Sequence, residues 1–267
     1  MTSADTTPAL FVPSGDAWLP TAYSRGPWSP DALHGGPVAA LVTRALEAVE
    51  APIPARLARM TLELLRPLPL VPLRITTEVV RPGAKVATID ATVTLVDDGT
   101  VVAIARAQRV RQAEVEFPDG ATDELPEFPG QPTVLERWPG AADITFHADA
   151  VEHRFLRGAF GVAGPAFDWI RLVVPVVAGE EPSGWQRAAA AADFTNGISA
   201  VVPFDPHALF INPDLTVHLW REPVGEWIGS DAVTRTSDTG IGMSETALWD
   251  RTGRVGRGLQ SLLLDRV

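Results

Sequence analysis

Residues Trp185 to Val202 read WQRAAAAADFTNGISAVV, with five consecutive alanines, Ala188 to Ala192, ahead of Asp193-Phe194-Thr195-Asn196. Alanine is the strongest helix former, and the run is apolar on nearly every side. A helix of that kind is buried and needs other structure wrapped around it, so the spacing predicts a long enclosed helix over 185–202. Asp193 stands inside it. A buried carboxylate is costly unless it is paired or hydrogen-bonded. Two readings are open: a functional acid, or a solvated group near the helix end that caps a turn with Thr195 and Asn196.

The first half carries a second helix of this kind. After His34-Gly35-Gly36-Pro37, the apolar residues Val38, Leu41, Val42, Ala45, Leu46 and Val49 recur at spacings of three and four, the helical period. Pro37 suits a first turn, and Pro52 and Pro54 end the helix, so the expectation is a helix over 37–50. Short strands are expected at Phe11-Val12 and from Ala17 to Tyr23. From Leu57 the period changes. ARMTLELLRPL, LRITTEVVRPG, KVATIDATVTLVDDG and TVVAIARAQRVRQ are rich in Val, Ile, Thr and Leu and read as strands, with Asp97-Asp98-Gly99 as a hairpin turn.

Glu114 to Gln131 is acidic and proline-rich and reads as a surface linker. Beyond it, Glu152 to Arg157 and Trp169 to Val177 read as strands, followed by the Ala-rich helix and then by DLTVHLWRE, EWIGSDAVTRTSD, GMSETALWD and RVGRGLQSLLLDRV. The halves align: Met60-Thr61-Leu62-Glu63-Leu64-Leu65-Arg66 with Leu215-Thr216-Val217-His218-Leu219-Trp220-Arg221, and Ala105-Arg106-Ala107-Gln108 with Arg257-Gly258-Leu259-Gln260. Such internal periodicity governs the fold. A helix embraced by a curved antiparallel sheet, twice in one chain, is an α+β double hotdog. The expected units are an N-terminal hotdog over 1–113, a linker over 114–140 and a C-terminal hotdog over 141–267.

Composition narrows the function. The chain has 267 residues, a net charge of −11 and no cysteine. That charge argues against nucleic acid and anionic membranes as partners, and the lack of cysteine removes disulfides, thiolate metal sites and cysteine nucleophiles. No apolar stretch is long enough to span a membrane. The opening MTSADTTPALF lacks a basic region followed by an apolar run, so no signal peptide is expected and the cytoplasm is the expected location. His147, His153, His207 and His218 show no metal-ligand spacing, and Ser199 lacks a G-x-S-x-G context.

The residues His34-Gly35-Gly36, Arg66-Pro67-Leu68, Ala192-Asp193-Phe194, Asn212-Pro213-Asp214-Leu215-Thr216-Val217-His218 and Leu259-Gln260 make the chain resemble the double-hotdog acyl-CoA thioesterases of the thioesterase II type. The resemblance covers most of the chain. It implies a catalytic Asp on the second-half helix, a Thr near the next strand and a Gln on the last strand. Asp193 and Gln260 match. The threonine position falls on Asn212, with Thr216 as the alternative. The resemblance further implies hydrolysis of acyl-CoA thioesters in lipid metabolism, no cofactor or metal, and a homo-oligomer, a dimer of double hotdogs.

Thioester hydrolysis needs an activated water and a donor for the oxyanion. A carboxylate takes the water's proton, amide and hydroxyl groups fix the water, and helix-start amides meet the oxyanion. His34, Gly35 and Gly36 are expected to bind substrate, since glycine lets it approach the backbone. Asp193 lies 23 residues before Thr216, and the same count before Thr61 gives Val38. One working site is therefore expected, with Gln108 the idle counterpart of Gln260. Arg66, Arg106, Arg109 and Arg111 are candidates for coenzyme A phosphates. Two other functions are weighed: a non-catalytic acyl or acyl-CoA binding protein, and a hotdog hydratase or dehydratase, which pairs an Asp with a His five residues away.

Overall fold

A computed structural model of the chain describes residues 8–117, 120, 123–135, 142–202 and 208–266. His207 and parts of the 114–140 segment lie outside these.

The chain opens with β1 (Phe11–Ser14) and β2 (Ala17–Pro20), then helix α1 (Gly35–Glu47). Four strands follow: β3 (Ala55–Leu64), β4 (Leu73–Arg81), β5 (Val86–Leu95) and β6 (Val101–Arg111). The second half begins with β7 (Val151–Arg157) and β8 (Ala166–Leu172), then α2 (Gly184–Ala192) and the short α3 (Thr195–Ile198). It ends with β9 (Ala208–Ile211), β10 (Asp214–Leu219), β11 (Trp227–Thr236), β12 (Ile241–Asp250) and β13 (Gly253–Arg266).

The strands form one sheet in the order β1-β2-β4-β5-β6-β3-β10-β13-β12-β11-β8-β7, with β9 beside β13. All strand pairs are antiparallel. Sequence alternation explains why these segments are strands. VATIDATVTL in β5 buries Ala87, Ile89, Ala91 and Val93 while the residues between them face outward, the two-residue period of a sheet with one covered face. β3 and β10 meet at the centre, with Thr61 opposite Thr216. On one side of that pair the order is β4-β5-β6-β3, and on the other it is β10-β13-β12-β11, so each side mirrors the other in chain order.

The two helices pack against each other on the core side. Their ends show that they run antiparallel: His34, before α1, touches Asp193, after α2, and Glu47, the last residue of α1, touches Ser183, before α2. Alanine and glycine permit the close approach. A Cβ on Gly36 would lie 2.9 Å from the Ala190 carbonyl oxygen. Trp185 is buried at the far end and donates from Nε1 to the Leu57 carbonyl at 2.9 Å. Among the described residues no helix is long and apolar enough to cross a membrane.

Two sequence expectations need correction. The helix predicted over 185–202 stops at Ala192, with Asp193 as its C-cap, and a separate turn of helix covers 195–198. The Thr195 hydroxyl donates to the Ala192 carbonyl at 2.6 Å, a local bond that competes with the helical ladder. Part of the 114–140 segment lies against the sheet. Phe128 packs against Trp169 and Trp227 on the outer sheet face, Trp169 Nε1 donates to the Glu127 carbonyl, and Thr133 bonds the His153 carbonyl. The match of Gln108 to Gln260 is one residue out of register. Thr61 lies opposite Arg106, and Thr216 opposite Leu259. Gln260, one past Leu259, therefore corresponds to Ala107, one past Arg106, and a shift of one residue turns a side chain to the other face.

Candidate active site

Asp193 becomes the centre of a cluster because α2 ends there. As the C-cap it still has helical backbone angles, and its carboxylate points at the start of α1. Oδ2 lies 2.8 Å from His34 Nδ1. Oδ1 accepts a hydrogen bond from Asn212 Nδ2 at 3.0 Å. Gln260 Nε2 stands 3.4 Å from Oδ1 and 3.3 Å from the Asp193 backbone carbonyl. The Asn196 amide donates to Gln260 Oε1 at 3.1 Å, which fixes the side-chain amide so that its NH2 faces Asp193. A carboxylate, an imidazole and two amides thus converge from the ends of α1 and α2, the approach to β10 and the middle of β13.

His34 Nδ1 has a second neighbour, the Gly36 amide at 3.1 Å. A ring nitrogen carries either a hydrogen or a free lone pair, so it cannot donate to Asp193 and accept from Gly36 at once. The Asp193 contact is shorter and charge-assisted, and such bonds are the stronger. With Nδ1 protonated, His34 donates to the carboxylate.

Gly35 is glycine for a steric reason. A Cβ there would sit 2.8 Å from both carboxylate oxygens of Asp193. Around the cluster are aromatic rings. Phe146 and Phe194 stack with centroids 5.3 Å apart, each 5.0 Å from the His34 ring, and Trp28 stacks on His34 at 5.8 Å. His34 and Asp193 are only 5% and 6% exposed, whereas Trp28 is 62% exposed. The solvent side of the cluster is the Trp28 side. Low polarity around a charge strengthens every electrostatic contact inside it.

The sequence-predicted residues divide as follows. Asp193, Gln260, Asn212, His34, Gly35 and Gly36 come together. Thr216 does not: its hydroxyl donates to Thr61 Oγ1 at 3.1 Å across the central strand pair. Among the described residues there is no cluster of His, Cys, Asp and Glu able to hold a metal ion.

Two buried acids escaped the sequence reading. His153 Nδ1 lies 2.5 Å from Asp168 Oδ2 on the paired strands β7 and β8. Burial raises the Asp168 pKa, opposed by the His153 contact. Asp250 is the reverse case. Burial acts to raise its pKa, but bonds from Arg221, Thr252 and the Val224 amide outweigh burial and hold it well below the usual carboxylate range. Neither pair shows in sequence spacing: strand pairing brings His153 to Asp168, and the loop after β10 brings Arg221 to Asp250. The aromatic wall has a partial signal in Trp28, set in a Gly- and Pro-rich stretch just ahead of His34-Gly35-Gly36.

An antiparallel sheet packed on helices is the architecture of hotdog-fold proteins. Solved structures bear out the fold. The chain is similar to a hot dog fold protein of unknown function from Alicyclobacillus acidocaldarius, at 16% identity over 100% of both chains and a TM-score of 0.71. It is similar to a candidate thioesterase II from Thermobifida fusca, at 18% identity over 100% of this chain and 98% of that one, TM-score 0.70. It is also similar to an acyl-CoA thioesterase II, TesB2, from Mycobacterium marinum, at 16% identity over 95% and 93% of the chains, TM-score 0.65. No curated protein sequence matches it. Residues 24–110 match the acyl-CoA thioesterase N-terminal domain, and residues 118–264 match the C-terminal domain of the same family. The chain belongs to the acyl-CoA thioesterase family.

Proposed function

We propose that this protein hydrolyses acyl-CoA thioesters to the free acid and coenzyme A at the Asp193 centre. Asp193 accepts a proton from a water that attacks the thioester carbonyl. Asn212 and Gln260 position that water, and the amides at the start of α1 stabilise the oxyanion. Collapse of the tetrahedral intermediate breaks the carbon–sulfur bond, and the thiolate leaves with a proton returned through the His34–Asp193 pair. The observation that carries this reading is the convergence of Asn212 and His34 on the two oxygens of one buried carboxylate. We read the chain as two tandem hotdogs, 1–113 and 141–267, joined by 114–140. The mirrored strand order about the β3–β10 pair supports that reading. Family membership supports the reaction class. Free-thiol release from a panel of acyl-CoAs of graded length tests it, and coenzyme A binding without release in any member would favour the non-catalytic reading.

A second reading draws on one observation. A hotdog hydratase pairs an Asp with a His, and His34 reaches Asp193 across the two helices at 2.8 Å. Incubation with a 2-enoyl-CoA separates the two: loss of enoyl absorbance without thiol release marks hydration.

A further inference from the structure

The two-fold relation proposed above maps the Asp193 end of the helix pair onto its other end, where Glu47 meets Ser183. That end opens into a groove of about 550 Å³, within the range of small-molecule sites. Its apolar wall includes Leu46, Ile53, Leu57 and Trp185. Glu47 reaches the groove with its carboxylate held by Ser183 Oγ, at 2.9 Å to both oxygens, and by Gln186 Nε2 at 2.9 Å. Burial raises its pKa, countered by those bonds. Glu50 and Glu222 also line this part, and Glu222 is paired with Arg56 at 3.0 Å.

Past Ala51, Pro52 and Ile53 lies a second, shallow depression of only about 10 Å³, rimmed by the exposed Lys85 and Arg111, while Arg109 in its wall is buried and donates to the Val49 and Glu50 carbonyls. The chain carries a net charge of −11, and Lys85 is its single lysine. A cationic end on an acidic protein, next to a mixed apolar and hydrogen-bonding trough, matches a molecule with a phosphorylated head and a long neutral arm that bears amides. Arginine and lysine meet phosphate oxygens, while the arm packs on Ile53, Leu57 and Trp185 and donates an amide hydrogen to Glu47.

We infer that this groove is a second site for coenzyme A or its thioesters, and that it binds them without hydrolysis. The inference rests on the acyl-CoA reading of the first site. The groups that would hold an attacking water are missing. Ala107 occupies the register position of Gln260, and Leu57, by strand count, that of Asn212. The first turn of α2 is also covered, because the Pro223 carbonyl lies against Gly184, whereas Gly35 at the start of α1 faces Asp193.

Calorimetric titration of the full chain with coenzyme A tests this. Wild type is expected to take up two molecules per chain. The double substitution Lys85→Glu with Arg111→Glu, at two exposed residues, is expected to weaken one site at least tenfold and leave the other. Adenosine 3′,5′-bisphosphate and pantetheine, as head and arm alone, are expected to bind this site more weakly than the whole molecule. A single site in wild type, or two undiminished sites in the double variant, overturns the inference. So does hydrolysis there, seen as half the turnover surviving Asp193→Asn and vanishing on further substitution of Glu47→Gln. If wild type releases no thiol from any acyl-CoA, the reading of the first site fails, while the count of bound coenzyme A still decides this one.

Discussion

Gln260 and Gln108 look interchangeable in sequence, yet only one reaches Asp193. Gln260 has its amide oriented by the Asn196 N–H and its NH2 turned to the carboxylate. Gln108 lies one register step past the corresponding residue, Ala107. Gln260→Ala should therefore slow thiol release by about a hundredfold or more, the usual loss when a general base or its water is misplaced. Gln108→Ala should leave the rate within about twofold, because a side chain turned to the other face of the strand cannot reach the site. Steady-state assays of the two variants check this, and equal losses would put the site elsewhere. Asp250 makes a prediction of stability instead. It accepts bonds from Arg221, Thr252 and the Val224 amide, and its pKa is depressed in the fold. A carboxylate whose folded pKa lies below its unfolded value stabilises the fold above the ordinary range near pH ~4 and loses that effect as pH falls through the folded value. Asp250→Asn should cost about 2 to 4 kcal/mol at neutral pH. The gap to wild type should narrow in chemical denaturation at low pH.

At the scale of elements, the pairing of α1 with α2 sets the site, and small residues set the pairing. A methyl on Gly36 would meet the Ala190 carbonyl and Phe146 Cε1, both at 2.9 Å. Gly36→Ala should cost about 1 to 3 kcal/mol by overpacking and should also shift His34 away from Asp193. A lowered melting temperature together with a lost activity would bear this out, and an unchanged melt would show that the helices have room. The break in the Ala-rich helix belongs here too. Five alanines forecast a helix correctly, but its end is decided by Asp193 as cap and by the Thr195 back-bond to Ala192. Periodicity finds apolar stripes and has no sense of which polar group takes the last carbonyls. The strands were more legible, since alternation of the β5 kind fixes both existence and face.

For the whole molecule, the order of a helix followed by strands in each half pointed to an antiparallel sheet holding helices. The site was legible through a family resemblance on scattered residues, since Asp193, Asn212 and Gln260 come from three separate elements. Sequence alone put Asn212 first and kept Thr216 as the alternative. Strand pairing separates them by sending Thr216 to Thr61. The contact of His34 with Asp193 spans 159 positions of sequence and exists only because two helices run antiparallel. The central claim is that this assembled centre hydrolyses acyl-CoA. Its most direct test is free-thiol release by wild type and by Asp193→Asn across acyl-CoAs of graded length, with matched thermal melts. The account predicts turnover by wild type and a loss of about a hundredfold to ten-thousandfold in the variant. Comparable thiol release by a folded Asp193→Asn protein would contradict it.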